Sequence, residues 1–238
     1  EIIVVDDGSK DNTSKIVREV IRKSGKKNIM LIRQGNKGKA SAMNNALKIA
    51  KGSFFVSLDA DSTVSRDALR NLLPYFEKDI AAVLPVIDIK ESKTWIQKIQ
   101  ACEYPMNFFY KKLMGNLDCI HVTPGPFSVY RKDIIKNLGG FDENNLVEDL
   151  EMALKLQKSN HRIKQVLTND IETESPSTLK SFYKQRNRWY KGSLINLASP
   201  RYRSMVLNPE YGDLGLFQLP MVFMTAFLSI IIFIVFVI

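Results

Sequence analysis

Short apolar runs alternate with segments of helical periodicity along the first sixty residues, and this alternation constrains the fold more than any other feature. Strands are predicted at residues 2–5, 30–32 and 54–61, and the segments at 13–24 and 38–50 have the apolar spacing of amphipathic helices. Strands joined by helical crossovers form a largely parallel sheet flanked by helices. The chain is therefore predicted to have an α/β fold with a mostly parallel sheet. Further along, a helix is predicted at 67–76, strands at 80–84 and 127–130, and a rigid turn at 123–126.

Aspartates stand at the carboxyl ends of the first and third predicted strands. Asp6 and Asp7 follow the first strand, and Asp59 and Asp61 close the third. Ligands bind at this edge of parallel sheets. On extended backbone, Asp59 and Asp61 would project to the same side, where two carboxylates and a substrate phosphate would suit Mg²⁺ or Mn²⁺. The alternative is that both aspartates only accept hydrogen bonds from nearby backbone N–H groups.

Three more charged side chains stand at predicted helix starts. Lys39 begins the helix at 38–50, where the helix dipole disfavours a cation, and a phosphate bound nearby would explain its position. Glu148 and Asp149 begin a helix at 147–158, where the same dipole stabilises acids. A solvated lysine and two helix-end carboxylates are the simpler alternatives.

Two later helices carry aromatic residues. The stretch 95–113 is predicted to be an amphipathic helix that packs in the core, with contact with a bilayer interface as the second choice. Another helix is predicted to begin at residues 175–176, with a serine as its cap. It places Gln185, Arg188 and Trp189 on one face, and these side chains suit a diphosphate and a stacked sugar ring. Anchoring at a membrane interface is the alternative.

The net charge of +9 is unevenly distributed along the chain. Residues 175–209 carry seven basic side chains and no acidic one, and residues 214–238 carry no charged side chain. About 20 apolar residues suffice to span a bilayer, and basic flanks favour the cytoplasmic side, so a transmembrane helix is predicted at 214–238 with the rest of the chain in the cytoplasm. We expect a plasma-membrane protein and no nucleic-acid partner.

The predicted organisation has three parts: an α/β domain at 1–174, a juxtamembrane helical segment at 175–213 and the transmembrane helix at 214–238. Cys102 and Cys119 lack the spacing of a metal site or a disulfide framework, which fits packing residues in a reducing compartment. Because the chain opens on a strand and ends within an apolar run, we also expect it to be a piece of a longer protein.

Four motifs, in this order, resemble those of the inverting family 2 glycosyltransferases, which have the Rossmann-like GT-A fold. They are V-V-D-D-G-S at 4–9, D-A-D at 59–61, E-D at 148–149 and Q-R-N-R-W at 185–189. The last one, Q-x-x-R-W, is typical of the processive, membrane-embedded branch that includes synthases of cellulose, hyaluronan, chitin and poly-N-acetylglucosamine. The resemblance extends over nearly all of the chain before residue 214. The family's first strand would precede Glu1 and its later transmembrane helices would follow Ile238, and the turn at 123–126 has more proline than the family's acceptor-side loop.

The resemblance implies a role for each matching residue. The donor, expected to be a UDP-sugar, would be bound by Asp6, Asp7, Lys39, Asn44, Asp59, Gln185 and Arg188. The metal, Mg²⁺ or Mn²⁺, would be held by Asp61 and Asp59. Asp149 would be the general base with Glu148 beside it, and a glycan or lipid-linked acceptor would contact Trp189, Thr123 and Gly125.

Two alternatives to a polymerising enzyme stay open. One is a membrane glycosyltransferase that adds a single sugar to a lipid-linked acceptor, and the other is an inactive module that binds a nucleotide-sugar. The chemistry also sets one requirement. The dipole of its helix should lower the pKa of Asp149 and weaken it as a base, so burial or the neighbouring Glu148 has to offset that effect.

Overall fold

The fold is that of a computed structural model, which describes residues 1–225, 227 and 228. The strands are β1 (Ile2–Asp7), β2 (Ile29–Gln34), β3 (Phe54–Leu58), β4 (Thr63–Val64), β5 (Ile80–Ile89), β6 (Phe127–Arg131) and β7 (Arg162–Thr173). The helices are α1 (Thr13–Ser24), α2 (Lys39–Ile49), α3 (Ala68–Leu72), α4 (Trp95–Asn116), α5 (Lys132–Asn137), α6 (Glu148–Lys158) and α7 (Leu179–Ala198). Short 3₁₀ turns lie at Leu73–Tyr75, Arg203–Met205 and Pro209–Tyr211, and a π-helical turn lies at Leu214–Gln218.

The predicted alternation of strands and helices at the N-terminus is confirmed. β1 and β2 pair in parallel, with Ile3 opposite Met30, and α1 connects them. α1 ends at Gly25, which adopts the left-handed conformation at φ 62° that glycine takes without strain. α2 follows β2 and buries Ala46 and Leu47 in the core.

The main sheet is mixed, so the expectation of a mostly parallel sheet is wrong. Its order is β3-β6-β5-β7-β4; β5 and β7 pair in parallel, and the pairs β3–β6, β5–β6 and β4–β7 are antiparallel. The reversal follows α4, where the Asp118 side chain accepts a hydrogen bond from Arg162 at the start of β7 (2.6 Å). The chain then returns across the sheet to the end of β3, where the Pro126 carbonyl accepts a hydrogen bond from the Asp59 N–H (3.1 Å). β6 therefore starts at the edge where β3 ends.

The pattern of apolar residues in the sequence does not predict β7 or the second half of β5. The sequence predicts no strand at β7, because charged residues such as Lys164 and Glu172 interrupt its buried Ile163 and Ile171. β5 also continues five residues beyond its predicted end at residue 84. Pro85 lies at a register irregularity of the β5–β7 pair, and such a bulge tolerates a residue that has no N–H to donate.

Helix α4 lies largely at the surface, so the predicted core packing holds for only part of it. Phe108 is buried, whereas 64% of Trp95, 71% of Met106 and 58% of Phe109 are exposed. Cys102 on this helix is exposed as well, while Cys119 beyond its end is buried. Many of the apolar side chains of α4 therefore lie at the protein surface and do not pack in the core.

Helix α7 begins later than predicted. Thr178, rather than Ser175, caps the helix by accepting a hydrogen bond from the Ser181 N–H (3.2 Å). The preceding Pro176 carbonyl accepts a bond from the Gln100 side chain (2.9 Å). Residues 175–177 thus connect β7 to α7 along the surface of α4 and are not helical.

Helices α6 and α7 are held together at close range. Gly192 of α7 lies against Val147 with no room for a side chain at the glycine. Asn145 and Asn196 exchange hydrogen bonds of 2.8 and 3.0 Å. An apolar cluster that includes Leu150 continues the contact. Since Glu148 and Asp149 begin α6, this packing fixes their position relative to the side chains of α7.

The C-terminal part of the described chain consists of the π-helical turn and a following helical segment through Thr225. Within the residues described, no helix combines the length and the apolar character needed to cross a membrane. The transmembrane helix predicted at 214–238 falls partly on residue 226 and on residues 229–238, which lie outside the described residues.

The turn after β1 gives a first testable expectation. Gly8 has φ 80°, and a Cβ atom there would lie 2.7 Å from the backbone nitrogen of Asn36. We expect Gly8→Ala to lower the free energy of unfolding by more than the about 1–2 kcal/mol that a left-handed alanine costs by itself. Gly25→Ala is the matched control, because Gly25 has φ 62° and open space around it. Thermal unfolding measures both losses, and equal losses would contradict the importance of the contact with Asn36.

Candidate active site

A cavity of about 550 Å³ lies between α4 and α7, above the start of α6 and the loop that follows β3. It brings together most of the side chains that the sequence predicts for a site: Lys39, Asp59, Asp61, Gly125, Glu148, Asp149, Gln185, Arg188 and Trp189. The buried Thr123 lies beside it, where its hydroxyl donates to the Asp149 carbonyl (2.8 Å). Asp6, Asp7 and Asn44 do not line this cavity.

Lys39 connects the two acidic groups of the cavity. Its ammonium forms an ion pair with Asp59, lies 3.5 Å from Glu148 Oε1 and donates to the Gly125 carbonyl (3.2 Å). Burial alone would lower the pKa of Lys39, but the charges of Asp59 and Glu148 outweigh it and raise the pKa. Burial also raises the pKa of Asp59. The predicted contact of Lys39 with a nucleotide stays a prediction, and in this structure the lysine neutralises carboxylates.

The D-A-D segment is a turn and not extended backbone as expected. β3 ends at Leu58, and the Ser62 N–H donates to the Asp59 carbonyl (3.1 Å). The carboxylates of Asp59 and Asp61 therefore have different neighbours. Asp59 pairs with Lys39, while Asp61 Oδ1 lies 3.3 Å from the Ser62 hydroxyl and 3.5 Å from the Thr173 hydroxyl.

The donor set around Asp61 suits a metal that also binds substrate. Across the described part of the chain, no three His, Cys, Asp or Glu side chains are grouped as a metal site. Mg²⁺ is commonly held by one or two carboxylates together with substrate phosphates, so a complete protein cage is not required. Asp61 is exposed, and the groups of the described residues that lie at hydrogen-bond range of its carboxylate are the hydroxyls of Ser62 and Thr173. One carboxylate and a bound diphosphate would fit such an ion.

Asp149 lies at the start of α6 in a setting that favours the protonated carboxyl group. Its Oδ1 accepts a hydrogen bond from the Leu150 N–H (2.8 Å). A Cβ atom placed on Gly125 would lie 3.5 Å from its Oδ2, so the glycine leaves space beside this oxygen. Burial raises the pKa of Asp149, and the charge of Glu148 raises it further. These two effects supply the offset to the helix dipole that a general base requires at this position.

The predicted face of α7 lines the other side of the cavity. The Oε1 atom of Gln185 is buried and has no hydrogen-bond partner among the described residues. Arg188 donates to the Leu146 carbonyl (3.1 Å). The Arg186 guanidinium lies over the Trp189 ring, 4.6 Å from the ring centre, and forms an ion pair with Glu103 (2.6 Å). This face therefore offers an unsatisfied amide oxygen, a guanidinium and an aromatic ring to a ligand.

Asp6 and Asp7 fix the loops around β1. Asp6 is buried and accepts hydrogen bonds from the Ser14 hydroxyl and the Ser9 N–H, which hold its pKa far below the ordinary range. Burial would raise the pKa of Asp7, but hydrogen bonds from the backbone of residues 37 and 38 and from Gln34 outweigh it and lower the pKa. Both carboxylates are therefore ionised and anchored. Their predicted contact with the donor stays a prediction.

Asn44 holds a neighbouring loop in a similar way. Its side chain donates to the Phe141 carbonyl (2.8 Å) and accepts from the Phe141 N–H (2.9 Å), and it also donates to Glu143 (2.9 Å). These bonds fix the G-G-F segment at 139–141 to α2. A role of Asn44 in donor binding would act through this loop, and it stays a prediction.

One wall of the cavity is formed by residues that the sequence did not identify as a site. Tyr104, Asn107 and Lys111 of α4 line it, as does Arg186 of α7. The spacing of i, i+3 and i+7 on α4 is a signal that was present in the sequence. The spacing was overlooked because the aromatic residues around it are more typical of core packing or of a membrane interface than of a ligand site.

Comparisons with known proteins identify the family of the chain. Residues 1–139, more than half of the chain, match the family model described as Glycosyl transferase family 2. The chain belongs to glycosyl transferase family 2. The assignment that the motifs implied is therefore confirmed, and with it the assignment as a glycosyltransferase.

The curated relatives of this family 2 chain include polysaccharide synthases. It is 31% identical over 195 residues to the poly-beta-1,6-N-acetyl-D-glucosamine synthase of Staphylococcus aureus (strain COL), and 30% identical over 195 residues to that of Staphylococcus epidermidis. Each match covers 81% of this chain and 47% of the relative. The chain therefore spans about half the length of these relatives.

Solved structures show the same fold. The mannosyltransferase PcManGT from Pyrobaculum calidifontis, solved with GDP-Man and Mn²⁺, is 20% identical, with a TM-score of 0.67 over 99% of this chain and 66% of that one. S. aureus TarS is also 20% identical, with a TM-score of 0.56 over 96% of this chain and 62% of that one. The α/β, GT-A-like fold that the resemblance implies is thus confirmed, with a mixed sheet in place of the mostly parallel one.

Proposed function

We propose that this family 2 glycosyltransferase transfers a sugar from a nucleotide-sugar to a glycan acceptor with inversion at the anomeric carbon. The observation that carries the proposal is the convergence of Asp149, Asp61 and Arg188 on one cavity. One-step inversion requires a base for the acceptor hydroxyl and positive charge for the leaving diphosphate. The similarity to poly-beta-1,6-N-acetyl-D-glucosamine synthases favours N-acetylglucosamine as the sugar and a growing glycan as the acceptor, and the resemblance of the four motifs favours a UDP-sugar as the donor.

In the proposed reaction, Asp149 acts on the acceptor. Its carboxylate takes the proton of an acceptor hydroxyl while that oxygen attacks the anomeric carbon and the bond to the diphosphate breaks. Glu148 raises the proton affinity of Asp149, and Lys39 in turn limits the negative charge that Glu148 and Asp59 place in the cavity. A carboxylate with a raised pKa is a stronger base than an ordinary aspartate.

The donor would lie between the loop after β3 and α7. Arg188 and Gln185 would contact the diphosphate, since a guanidinium binds phosphate oxygens through charge-assisted hydrogen bonds. Asp61, with Asp59 as a further candidate ligand, would hold a Mg²⁺ or Mn²⁺ ion, which would stabilise the negative charge of the leaving diphosphate. The nucleotide end of the donor would be bound by Lys39 and by the loops that Asp6, Asp7 and Asn44 anchor.

The acceptor would approach Asp149 past Trp189, Thr123 and Gly125. Trp189 offers a ring for a sugar to stack upon. Gly125 leaves the space beside Asp149 Oδ2 open. Thr123 supports the site by bonding to the Asp149 carbonyl (2.8 Å).

The membrane forms the last part of the proposal. We place the catalytic unit at 1–174, the Q-x-x-R-W helix segment at 175–213 and a membrane helix at 214–238. The motivation is the charge-free run and its basic flank. A plasma-membrane protein with its catalytic part in the cytoplasm is the arrangement expected. Protease protection of the catalytic motifs from the cytoplasmic side would contradict it.

A donor screen tests the proposed function. The full-length protein in detergent-solubilised membranes is incubated with UDP-N-acetylglucosamine, UDP-glucose or GDP-mannose, and the released nucleoside diphosphate is measured. We expect release from a UDP-sugar that increases when an acceptor glycan is added. The absence of release from every donor would leave the inactive binding module as the better description.

A substitution at Trp189 tests whether this residue binds the acceptor and not the donor. We expect Trp189→Ala to raise the KM for the acceptor by about tenfold or more, the size of effect seen when a buried aromatic contact is removed. Slow hydrolysis of the donor by water should continue, because the base and the diphosphate contacts remain. Trp95→Ala is the control, since Trp95 is exposed and lies outside the cavity. An equal loss of hydrolysis in Trp189→Ala would place Trp189 with the donor instead.

A further inference from the structure

One face of α4 forms a wall of the cavity that no motif accounts for. Tyr104, Asn107, Phe108 and Lys111 line it. Their spacing of i, i+3, i+4 and i+7 places them on the same side of the helix. Lys111 is the charged member of this set, and its neighbours differ from those of Lys39 and Arg186, two other cations of the cavity.

Lys111 has no carboxylate at ion-pair distance among the described residues. Lys39 pairs with Asp59, and Arg186 pairs with Glu103. The Lys111 ammonium instead lies 5.1 Å from the centre of the Phe108 ring. Burial lowers the pKa of Lys111 to about 8, against the opposing effect of Asp149. A partly buried ammonium without a counter-charge is costly, and a bound anion would remove that cost.

The α4 wall that carries Lys111 reaches from the cavity to the C-terminal segment. The charge of Asp149 acts on Lys111, and the charge of Lys111 adds to burial in lowering the pKa of His121 to about 4. His121 Nδ1 lies 3.1 Å from the side-chain nitrogen of Gln218, in the π-helical turn at the start of the C-terminal segment. Tyr110 of α4 donates to the same Gln218 side chain (3.0 Å). Lys111 thus lines the same cavity as Asp149, and the residue before it in α4, Tyr110, contacts the C-terminal segment.

The donor diphosphate is already assigned to other groups. Arg188 and a metal ion held by Asp61 are proposed to bind it. An acceptor sugar whose hydroxyl reaches Asp149 would extend its remaining part towards the C-terminal segment, which is apolar from Leu214 onwards. If the acceptor sugar is joined to a lipid through a phosphate, that group would carry a negative charge into this region.

We propose that Lys111 binds the phosphate that joins the acceptor sugar to a lipid, and so selects phosphate-linked acceptors over neutral ones. This inference rests on the proposed function, and it adds the chemical class of the acceptor. A charge-assisted hydrogen bond from a lysine to a phosphate contributes about 1.5–3 kcal/mol, which corresponds to about a tenfold to hundredfold preference.

The test compares two acceptors that differ in one group. One is octyl β-N-acetylglucosaminide, and the other has a phosphodiester between the same sugar and the same octyl chain. Calorimetry measures the affinity of the full-length protein, saturated with nucleoside diphosphate, for each. We expect the wild type to bind the phosphate-linked compound at least about tenfold more tightly, and Lys111→Met to lose that preference. Lys111→Arg should retain it, because the charge is kept.

Lys112→Met is the matched control. Lys112 is the next residue of α4, carries the same charge and lines a different cavity with Glu77 and Arg162. Its replacement should leave both affinities unchanged. If Lys111→Met does not fold, Lys111→Gln replaces it, and the preference of the wild type should in any case weaken as the salt concentration is raised.

Three outcomes would overturn the inference. Equal affinity of the wild type for the two acceptors would show that no phosphate is recognised. An equal loss for both acceptors in Lys111→Met would make Lys111 a contact for sugar hydroxyls or a packing residue. A weaker affinity of Lys111→Met for the nucleoside diphosphate, measured by the same calorimetry, would assign Lys111 to the donor diphosphate. The proposed function itself fails on a different result, the absence of turnover with any nucleotide-sugar, whereas these affinities are measured without turnover.

Discussion

Replacing Asp149 by asparagine is expected to slow sugar transfer by about two to four orders of magnitude, the usual range for a lost general base. The substitution keeps the size of the side chain and removes its basicity. The affinity for UDP should stay nearly unchanged, because the nucleotide end is proposed to lie at the loops anchored by Asp6 and Asp7. Initial rates at saturating donor and acceptor, together with the dissociation constant of UDP, measure both effects.

Asp133→Asn is the matched control for this variant. Asp133 also stands in the first turn of a helix, α5, but it is exposed and lies outside the cavity. Its replacement should leave the rate of transfer unchanged. Near-normal transfer by Asp149→Asn would show that Asp149 is only a helix-end charge, and Glu148→Gln would then be the next variant to measure.

The raised pKa of Asp149 also predicts how stability depends on pH. Because the pKa is higher in the folded state than in the unfolded state, the folded protein binds this proton more tightly, and ionisation of Asp149 costs stability. That cost is absent below the ordinary pKa of an aspartate and complete above the raised one. At neutral pH, Asp149→Asn should therefore unfold at the same temperature as the wild type or a higher one. Activity and stability should change in opposite directions.

Removing the metal ligand is the second large effect expected. Asp61→Asn should lower transfer by about two to three orders of magnitude, the range seen when stabilisation of developing negative charge is lost. It should also raise the Mg²⁺ or Mn²⁺ concentration needed for half-maximal activity. Chelator should abolish transfer by the wild type, and added Mn²⁺ should restore it. Activity against metal concentration measures all three.

Asp67→Asn is the control for Asp61. Asp67 is an exposed aspartate six residues further along the chain, paired with Arg70 and outside the cavity. Its variant should have the metal dependence of the wild type. Full activity of the wild type in excess chelator would remove the metal from the account, and Lys39 with Arg188 would then be the cavity's candidates for balancing the diphosphate charge.

The sequence predicted the elements whose signals are local. The strand before Asp6, the helix that ends at Gly25 and the acidic motifs at strand ends follow from short apolar runs and from turn chemistry. The direction of β6 does not, because it depends on how the segment after α4 returns across the sheet to meet Asp59. β7 was hidden for a similar reason, since its place in the sheet comes from parallel pairing with β5 and not from a local apolar run.

The candidate site was predicted as a set of residue types but not as a set of contacts. Sequence order gives no indication that Lys39 bridges Asp59 and Glu148, which are distant along the chain. The wall formed by α4 was missed because an exposed aromatic helix and a cavity wall share the same amphipathic pattern. Among the described residues, Lys111 has no carboxylate at ion-pair distance and lies instead against the Phe108 ring, a property that only tertiary structure reveals.

The configuration of the product linkage tests directly whether transfer at this cavity inverts the anomeric carbon. The full-length protein is incubated with α-linked UDP-N-acetylglucosamine and an N-acetylglucosamine acceptor, and the product is examined by mass spectrometry and by NMR of the new anomeric centre. The account predicts an acceptor that gains at least one sugar through a β linkage, and no such product from Asp149→Asn within the same time. A wild-type product with an α linkage would contradict inversion at this cavity, and so would full product formation by Asp149→Asn.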